Sequence, residues 1–324
     1  MSGSATLSPL RRVVLTTMVF VLGASIVLAQ TAVVHPTPVP SRRLQRIVNE
    51  AVQETVTQFA GIQLKTNQVA LTLVDLHDLH HPEQAAYRGG VQIYPASVVK
   101  LFYLVAVHRW LEDGRLKDTE ELRRAMHDMI VDSINEATHY VVDVLTDTTS
   151  GPELAPAELE AWQKKRNAVN RYFSALGYSG INVNKKPWCE GPYGREMQAS
   201  KAFTPARNFL TTDATARLLT AIVTGAAVSP KRCREMMSLL ARDPFAPTDD
   251  PENQAKFTGP ALPQGAKLWS KAGWTSEVRH DATYIELPTG ERFVLVMFTA
   301  DHANEREILP ALARAVILKM RVRS

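Results

Sequence analysis

The chain is poor in cysteine, glycine and net charge, and each shortage excludes a class of protein. Two cysteines among 324 residues are too few for a disulfide framework or a four-cysteine zinc site. Sixteen glycines and nineteen prolines exclude a collagen-like or low-complexity chain. The formal charge is only +4, and no basic run carries interleaved aromatic residues, so the composition argues against nucleic-acid binding.

The apolar content, in contrast, is that of a folded protein. Apolar residues make up 45% of the chain and charged residues 22%, which is enough apolar surface to build a large core. A mainly disordered chain is therefore excluded. The length of 324 residues corresponds to about two domains.

The first thirty residues have the pattern of an export signal. Arg11 and Arg12 precede an uncharged, mostly apolar stretch over residues 13–29, which ends in small residues at the spacing of a cleavage site. A retained membrane anchor through residues 13–29 is the alternative, since the stretch is barely long enough to span a bilayer. We expect the protein to be exported, to the periplasm or the extracellular space. Loss of residues 1–30 removes two arginines and no acid, which lowers the charge from +4 to +2.

Periodicity predicts strands near both ends of the remaining chain and helices between them. Apolar spacing predicts a helix over 42–60, a strand over 69–74, a hairpin of strands 282–287 and 292–299, and a closing helix over 305–320. Further helices are expected at 97–111, 120–129, 135–145, 158–176 and 211–224, whereas 178–208 lacks periodicity. We therefore expect an α/β (α+β) fold, with one antiparallel sheet built from both termini, flanked by helices, and an inserted helical lobe.

This pattern predicts one folded domain behind an N-terminal leader. Residues 1–30 are the signal or anchor, residues 31–41 are a proline-rich spacer, and residues 42–324 form the domain. Its sheet lobe is expected at about 42–92 and 265–324, and its helical lobe at about 93–264.

The strongest chemical feature is a serine three residues before a lysine. Ser97 and Lys100 would share one face at the start of the most apolar helix, in which Lys100 is the only charge between Val98 and Val107. Burial lowers the pKa of a lysine, and a neutral amine beside a hydroxyl is a general base beside a nucleophile. The alternative is that Ser97 merely caps the helix and Lys100 reaches solvent.

Two further motifs follow in order, Ser133-Ile134-Asn135 and Lys271-Ala272-Gly273. With this trio the chain resembles the penicillin-recognising serine hydrolases, which include class A β-lactamases and D-Ala-D-Ala peptidases. The resemblance covers roughly residues 42–322 and is closest to the class A-like branch.

The resemblance implies a role for each motif residue. Ser97 would attack a carbonyl and form an acyl-enzyme, and Lys100 would accept or relay the proton. Ser133 would pass a proton to the leaving nitrogen, and Asn135 would bind the substrate's side-chain amide. Judged alone, Ser133 also fits a capping box with Glu136.

The third motif would bind the other end of the substrate. Lys271 would hold the substrate carboxylate and Ser133, and Gly273 belongs to the same motif. The backbone N–H groups of Ser97 and Trp274 would form the oxyanion hole.

The chain departs from the family pattern at three places. Ile134 stands where the family usually has Asp, which weakens local bracing more than chemistry. Ala272 lacks the hydroxyl that usually binds the substrate carboxylate. Four nearby residues are candidates to replace it: Thr275, Ser276, Arg279 and His280.

The third departure concerns deacylation. The loop over 178–208 lacks the usual Glu-x-x-Leu-Asn sequence, and in its Trp188–Glu196 segment only Glu190 and Glu196 carry carboxylates. Either would serve as the base, with Glu190 preferred because Gly191-Pro192 follows it. Surface carboxylates with no role are the alternative, in which case the acyl-enzyme would persist.

The leading activity is thus β-lactam hydrolysis by an exported serine hydrolase. A D-Ala-D-Ala carboxypeptidase or other amidase or esterase, and a catalytically weak peptidoglycan-binding protein, are the alternatives. The expected partner is a small-molecule β-lactam or a peptidoglycan stem peptide, with no cofactor and no metal. The His- and Asp-rich run at 75–81 lies between the predicted strand over 69–74 and a second strand predicted over 85–88, which favours a solvated turn. Cys189 and Cys233 would either pair or remain two separate thiols.

Overall fold

A computed structural model describes residues 1–3 and 38–321 of the chain. The chain divides into two compact units, Met1–Val33 and Val34–Ser324. The apolar stretch over 13–29 and most of the proline-rich spacer lie outside the described residues, so the expectations for them stay predictions. None of the helices formed by the described residues is long and apolar enough to cross a membrane.

Between residues 38 and 321 the chain forms seven strands and eleven α-helices. The strands are β1 Val39–Pro40, β2 Val69–Asp75, β3 Glu83–Tyr87, β4 Ala241–Arg242, β5 Lys267–Trp274, β6 Val278–Glu286 and β7 Arg292–Ala300. The helices are α1 Arg42–Gln58, α2 Lys100–Glu112, α3 Glu120–Ile130, α4 Asn135–Thr146, α5 Pro156–Arg166, α6 Ala168–Ala175, α7 Gly194–Ala202, α8 Thr212–Val223, α9 Pro230–Leu240, α10 Ala255–Thr258 and α11 Ile308–Arg321.

All seven strands form one sheet in the order β1-β3-β2-β7-β6-β5-β4. Neighbouring strands are antiparallel except the short pair β1 and β3. The sheet is thus built mainly from the two ends of the domain and is flanked by helices, which confirms the predicted fold class. In the register of the sheet, Leu71 of β2 lies opposite Met297 of β7, and Lys271 of β5 lies opposite Ala282 of β6.

The two faces of the sheet bury separate apolar cores. On one face Leu71 and Leu295 pack with Leu44 of α1 and Leu312 of α11. On the other face the sheet packs against the inserted helices, with Val296 in the same core as α2 and α8. Alternate residues of a strand point to opposite faces, so a strand buried on both sides is apolar throughout. That is why β2 and β7 consist largely of apolar residues.

The inserted segment differs from its predicted helices in several places, one of which is the short helix α10. The helix expected over 158–176 is interrupted at Asn167, α9 was not predicted, and β4 adds a two-residue strand to the sheet edge. Helix α7 lies within 178–208, where no periodicity was found. Its buried positions include Glu196 as well as Ala199, and a buried face that contains a charge gives no apolar signal.

Candidate active site

Three separate chain segments converge on one cavity of about 740 Å³. Its wall includes Ser97, Ser133 and Asn135, together with Trp274 from the end of β5. Lys100 and Lys271 lie beneath this wall with no exposed surface, and both contact Ser133. The structure therefore brings the three motifs together.

The nucleophile candidate lies in a strained turn and not in a regular α-helix. A 3₁₀ turn covers Ala96–Val99, and α2 begins at Lys100. Ala96 has φ 46°, a left-handed conformation that costs free energy in a residue other than glycine. Three-residue periodicity in such a turn still places Ser97 and Lys100 on one side.

A buried histidine anchors the chain just before this turn. Burial lowers the pKa of His280 to about 4, so its ring is neutral. Its Nδ1 accepts a hydrogen bond from the Thr299 N–H at 3.2 Å. Its Nε2–H therefore donates to the Tyr94 carbonyl at 2.8 Å, which ties the turn to β6.

Lys100 is held by acceptors that suit a neutral amine. Its Nζ donates to the Ser133 carbonyl at 2.6 Å and to Asn135 Oδ1 at 2.8 Å, and Ser133 Oγ lies 3.3 Å away. Burial lowers the pKa of Lys100 from its ordinary value to about 7. Two N–H groups satisfy the two close acceptors, which leaves a lone pair free to take a proton. Ser97 Oγ makes no hydrogen bond within the described part of the chain; catalytic hydrogen bonds often form only once substrate binds.

Lys271 has three acceptors for its three protons. Its Nζ donates to Gln254 Oε1 at 2.7 Å, the Ala272 carbonyl at 2.8 Å and Ser133 Oγ at 2.9 Å. Burial, and then the nearby charge of Lys100, lower the pKa of Lys271 well below its ordinary value. If both lysines were protonated, two positive charges beside one hydroxyl would repel each other, so a single protonated lysine is favoured. Lys271 has an acceptor for each of three N–H groups, which favours Lys271 as the protonated one.

Ser133 therefore lies between a proton donor and a proton acceptor. Its Oγ can accept from Lys271 and direct its own proton toward Lys100. Such a chain can carry a proton between the nucleophile side and the leaving-group side of the cavity. The alternative capping role of Ser133 is wrong, because Ile134 is the N-cap of α4 and the hydroxyl bonds the lysines instead.

Gly273 lets β5 pass directly against the nucleophile turn. A Cβ at this position would lie 2.8 Å from the Pro95 carbonyl oxygen, the Ser97 nitrogen and the Val98 nitrogen. The Ala272 N–H donates to Gln254 and not to β6. Successive N–H groups of a strand point to alternate edges of that strand. The N–H of Trp274, two residues after Ala272, is therefore directed to the same edge of β5, away from β6. The close approach of β5 to the nucleophile turn brings Trp274 near Ser97 in the fold, and the role of their N–H groups as an oxyanion hole stays a prediction.

Gln254 is a site residue that the sequence did not reveal. Its Oε1 accepts from Lys271 Nζ and from the Ala272 N–H at 3.1 Å, and its Nε2 donates to the Ile130 and Val131 carbonyls at 2.9 and 2.7 Å. One amide therefore joins β5 to the chain that leads into Ser133. No motif marks it, because its partners, one lysine side chain and three backbone groups, are distant in sequence.

We expect Gln254→Leu to slow acylation about 10²-fold, since small misplacements of catalytic groups have effects of that size. Leucine has a similar volume but leaves Lys271 short of an acceptor and removes the Gln254 donor from the Val131 carbonyl, whereas the Ile130 carbonyl keeps its bond from Arg242. Acylation is measured at a temperature where the variant is fully folded, beside the exposed-site control Gln53→Leu. A variant that acylates at the wild-type rate despite a lowered melting temperature would give Gln254 a purely structural role.

Only one of the four candidates for binding the substrate carboxylate lies on the cavity wall. Thr275 lines the cavity, and its Oγ1 accepts from the Glu277 and Val278 N–H groups, so its proton is free to donate. Arg279 is buried and bonded to Glu252 at 2.9 Å. His280 is committed to Tyr94, and Ser276 is exposed without lining the cavity.

Neither loop carboxylate proposed for deacylation is directed into this cavity. Glu190 is exposed and does not line it. Glu196 is buried and bonded to Arg166 at 2.8 Å and to Ser150 at 3.0 Å. Burial alone would raise the pKa of Glu196, but Arg166 and Lys186 outweigh burial and lower the pKa. A carboxylate held in this way is a poor base.

The cavity does have carboxylates, on its outer wall. They belong to Asp132, Asp243, Asp250 and Glu252. Glu252 is neutralised by Arg279 and Arg306. The two cysteines do not pair: Cys233 is buried, whereas Cys189 is exposed and lines the cavity, where its Sγ accepts from Asn135 Nδ2 at 3.2 Å.

Comparison with known proteins agrees with this geometry. Residues 51–319 match the family model described as the beta-lactamase enzyme family. No curated protein sequence matches the chain. Among solved structures, a beta-lactamase from Sphaerobacter thermophilus DSM 20745 is 20% identical, with a TM-score of 0.62 over 85% of this chain and 99% of that one.

PBP-A is a second similar structure. It is 19% identical, with a TM-score of 0.60 over 88% of this chain and 98% of that one. A mutant of PBP-A, an acyl-enzyme complex with penicillin G, is 20% identical with a TM-score of 0.61, covering 88% of this chain and 99% of that one. At such identities the structural likeness shows the shared fold.

Proposed function

The chain belongs to the beta-lactamase enzyme family, and from that premise we propose that Ser97 is acylated by β-lactams and that the acyl group is released slowly. In the proposed step, Ser97 Oγ bonds to the lactam carbonyl carbon and its proton passes to Lys100. The carbon–nitrogen bond then breaks, and the ring nitrogen takes a proton through Ser133.

One observation carries this proposal. Ser133 Oγ lies within hydrogen-bond distance of both Lys100 and Lys271, beside the cavity that Ser97 lines. Once Ser97 has passed its proton to Lys100, the contacts of Ser133 with both lysines give a proton a route to a leaving nitrogen, which is what amide cleavage by a serine requires. The penicillin acyl-enzyme reported for the PBP-A mutant supports a β-lactam as the acylating group.

Slow release is proposed because the loop supplies no free base to the cavity. Glu196 is neutralised by its ion pairs, and Glu190 is exposed outside the cavity wall. Without an activated water the ester at Ser97 persists. This same observation favours a second candidate, a D-Ala-D-Ala peptidase or a weak peptidoglycan-binding protein that β-lactams trap.

We further propose that the enzyme acts outside the cytoplasm. Arg11 and Arg12 followed by the uncharged stretch 13–29 support an export signal or a retained anchor. Residues 42–324 are proposed to form the single catalytic domain, whose substrate is a β-lactam or a peptidoglycan stem peptide.

The test is the intact mass of the protein incubated with benzylpenicillin and followed over time. We expect an adduct of one whole penicillin, because ring opening leaves the nitrogen tethered to the acyl group. The adduct should be absent from Ser97→Ala and should persist for many minutes in the wild type. An equal adduct on Ser97→Ala would refute acylation at Ser97.

The time course also separates the candidate activities. Rapid hydrolysis of a chromogenic cephalosporin would refute slow release. If that turnover survives in both Glu190→Gln and Glu196→Gln, neither loop carboxylate is the base, and Asp132 becomes the next residue to change. A persistent adduct, together with release of D-alanine from a stem peptide, would favour the peptidase.

A further inference from the structure

A second cavity of about 360 Å³ adjoins the catalytic cavity. The two share Tyr94 and Trp188 in their walls. The second cavity, called the side cavity below, is bounded by the loop at Lys185, by α7 and by Arg207. It lies outside the residues to which the proposed acylation assigns a role.

The side cavity carries an excess of positive charge. Three cations and one carboxylate line it: Lys185, Lys186, Arg207 and Glu196. Lys186 is bonded to Asp143 at 2.7 Å, and Glu196 is bonded to Arg166 at 2.8 Å. The charges of Lys186 and Glu196 are therefore already balanced by these partners. Lys185 and Arg207 are the two other charged residues of the wall.

Neither remaining cation has a carboxylate partner within residues 38–321. The side chain of Lys185 is half-buried, and burial lowers its pKa although Glu196 nearby opposes that effect. The Arg207 guanidinium carbon lies over the Tyr94 ring, 4.1 Å from its centroid, and a guanidinium in a cation–π contact can still donate hydrogen bonds from its N–H groups. Lys185 is half-buried and Arg207 is exposed, and both line one cavity without a carboxylate partner among the described residues. Such a pair suits a carboxylate ligand, which accepts charge-assisted hydrogen bonds from both types of side chain.

The position of the side cavity indicates which part of a substrate would reach it. Asn135, expected to bind the amide of the acyl side chain, donates to Cys189 Sγ. Trp188 precedes Cys189 and separates the two cavities. With Asn135 and Lys271 in these expected roles, the acyl side chain of a bound substrate would lie on the side of Cys189 and Trp188, toward the side cavity, and the leaving group would lie near Lys271.

We propose that the side cavity is a specificity site for a carboxylate on the acyl side chain of the substrate, bound by Lys185 and Arg207. This inference rests on the proposed acylation at Ser97. The substrate class it names is an amide whose acyl part carries a negative charge two or three bonds beyond the amide carbon.

The test compares two penicillins that differ by one carboxylate, benzylpenicillin and its α-carboxy derivative carbenicillin. The second-order rate constant for acylation is measured for the full chain, for Lys185→Gln, and for Lys185→Gln with Arg207→Gln. The quantity of interest is the ratio of the carbenicillin to the benzylpenicillin constant, because the α-carboxylate also changes intrinsic reactivity. We expect this ratio to fall about tenfold in the double variant, as for the loss of one charge-assisted hydrogen bond.

The exposed residue Lys201 on α7 provides the matched control. Lys201→Gln removes the same charge from the same region without lining the side cavity, and should keep the wild-type ratio. An equal fall in this control would mean that general charge, and not the site, sets the preference. A ratio that is unchanged in the double variant would overturn the inference while leaving acylation at Ser97 intact.

If neither penicillin forms an adduct, the proposed function fails, and the side cavity is tested without it. The free side chain phenylmalonamate is titrated into the protein by calorimetry, beside its uncharged analogue phenylacetamide. Binding of the charged compound alone, lost in the double variant, supports the carboxylate site. Equal affinity for inorganic phosphate would indicate a site for free anions and contradict the substrate assignment.

Discussion

Replacing Lys100 with methionine is expected to slow acylation of Ser97 about 10³-fold, within the range that general bases contribute. Lys100 is fully buried, and its close acceptors, the Ser133 carbonyl and Asn135 Oδ1, leave one lone pair available in the neutral amine. Methionine fills a similar volume in the apolar surroundings but cannot take a proton. The measurement is the rate of adduct formation with benzylpenicillin, with the exposed-site change Lys117→Met as control.

The pH profile distinguishes a base from a structural residue. Because burial lowers the pKa of Lys100 to about 7, wild-type acylation should rise with pH through about 7 and level off above it. The residual rate of Lys100→Met should lack this step. A wild-type rate that stays at its full value well below pH 6 would rule out a neutral Lys100 as the base.

The same pKa makes folding depend on pH. Between about 7 and the ordinary value of 10.5, the unfolded chain holds a proton on Lys100 that the folded chain has released. More protons bound by the unfolded state mean that stability rises with pH across this window. Lys100→Met should lose this rise, which urea unfolding at pH 7 and pH 9 would detect.

Replacing Gly273 with alanine is the second change with a large expected effect. The added Cβ would lie 2.8 Å from three backbone atoms, those of Pro95, Ser97 and Val98, closer than real Cβ atoms approach. Backbone atoms cannot turn aside as a flexible side chain can, so β5 must move away from the nucleophile turn. That movement separates the Ser97 and Trp274 N–H groups. Loss of one oxyanion donor costs about 10²–10³ in rate.

Gly90→Ala is the matched control for this prediction. A Cβ at Gly90 has no atom within 4 Å, and its backbone is not left-handed. Acylation by benzylpenicillin should fall in Gly273→Ala and not in Gly90→Ala, at a temperature where both are folded. Full activity of Gly273→Ala would show that β5 does not set the oxyanion geometry.

Much of the fold could be predicted because it depends on local patterns. The apolar runs of β2 and β7 and the buried helix after Ser97 follow from the period of the residues and from Lys100 being the only charge in its stretch. The interrupted helix at Asn167 and the strand β4 could not be predicted. Their boundaries depend on side-chain and strand partners far away in sequence, such as Asn184 and Trp269.

For the candidate site as well, some features could be predicted from the sequence and others could not. The three motifs could be found in the sequence because each combines a reactive residue with a fixed spacing. The capping-box alternative for Ser133 was open in the sequence, since Glu136 stands at the right distance. Only the position of Lys271, contributed by a strand 138 residues further along the chain, decided that the hydroxyl is directed into the cavity.

By itself, the sequence determined the fold class, the order of the motifs and the position of a lysine beside a serine in an apolar stretch. These depend on residue type and spacing, which a linear chain records. The tertiary structure decided that Glu196 is neutralised, that Gln254 joins two parts of the site, and that Lys185 and Arg207 meet no carboxylate among the described residues. Those outcomes depend on which charges and hydrogen-bond partners meet in space, and the chain brings them together only when it folds.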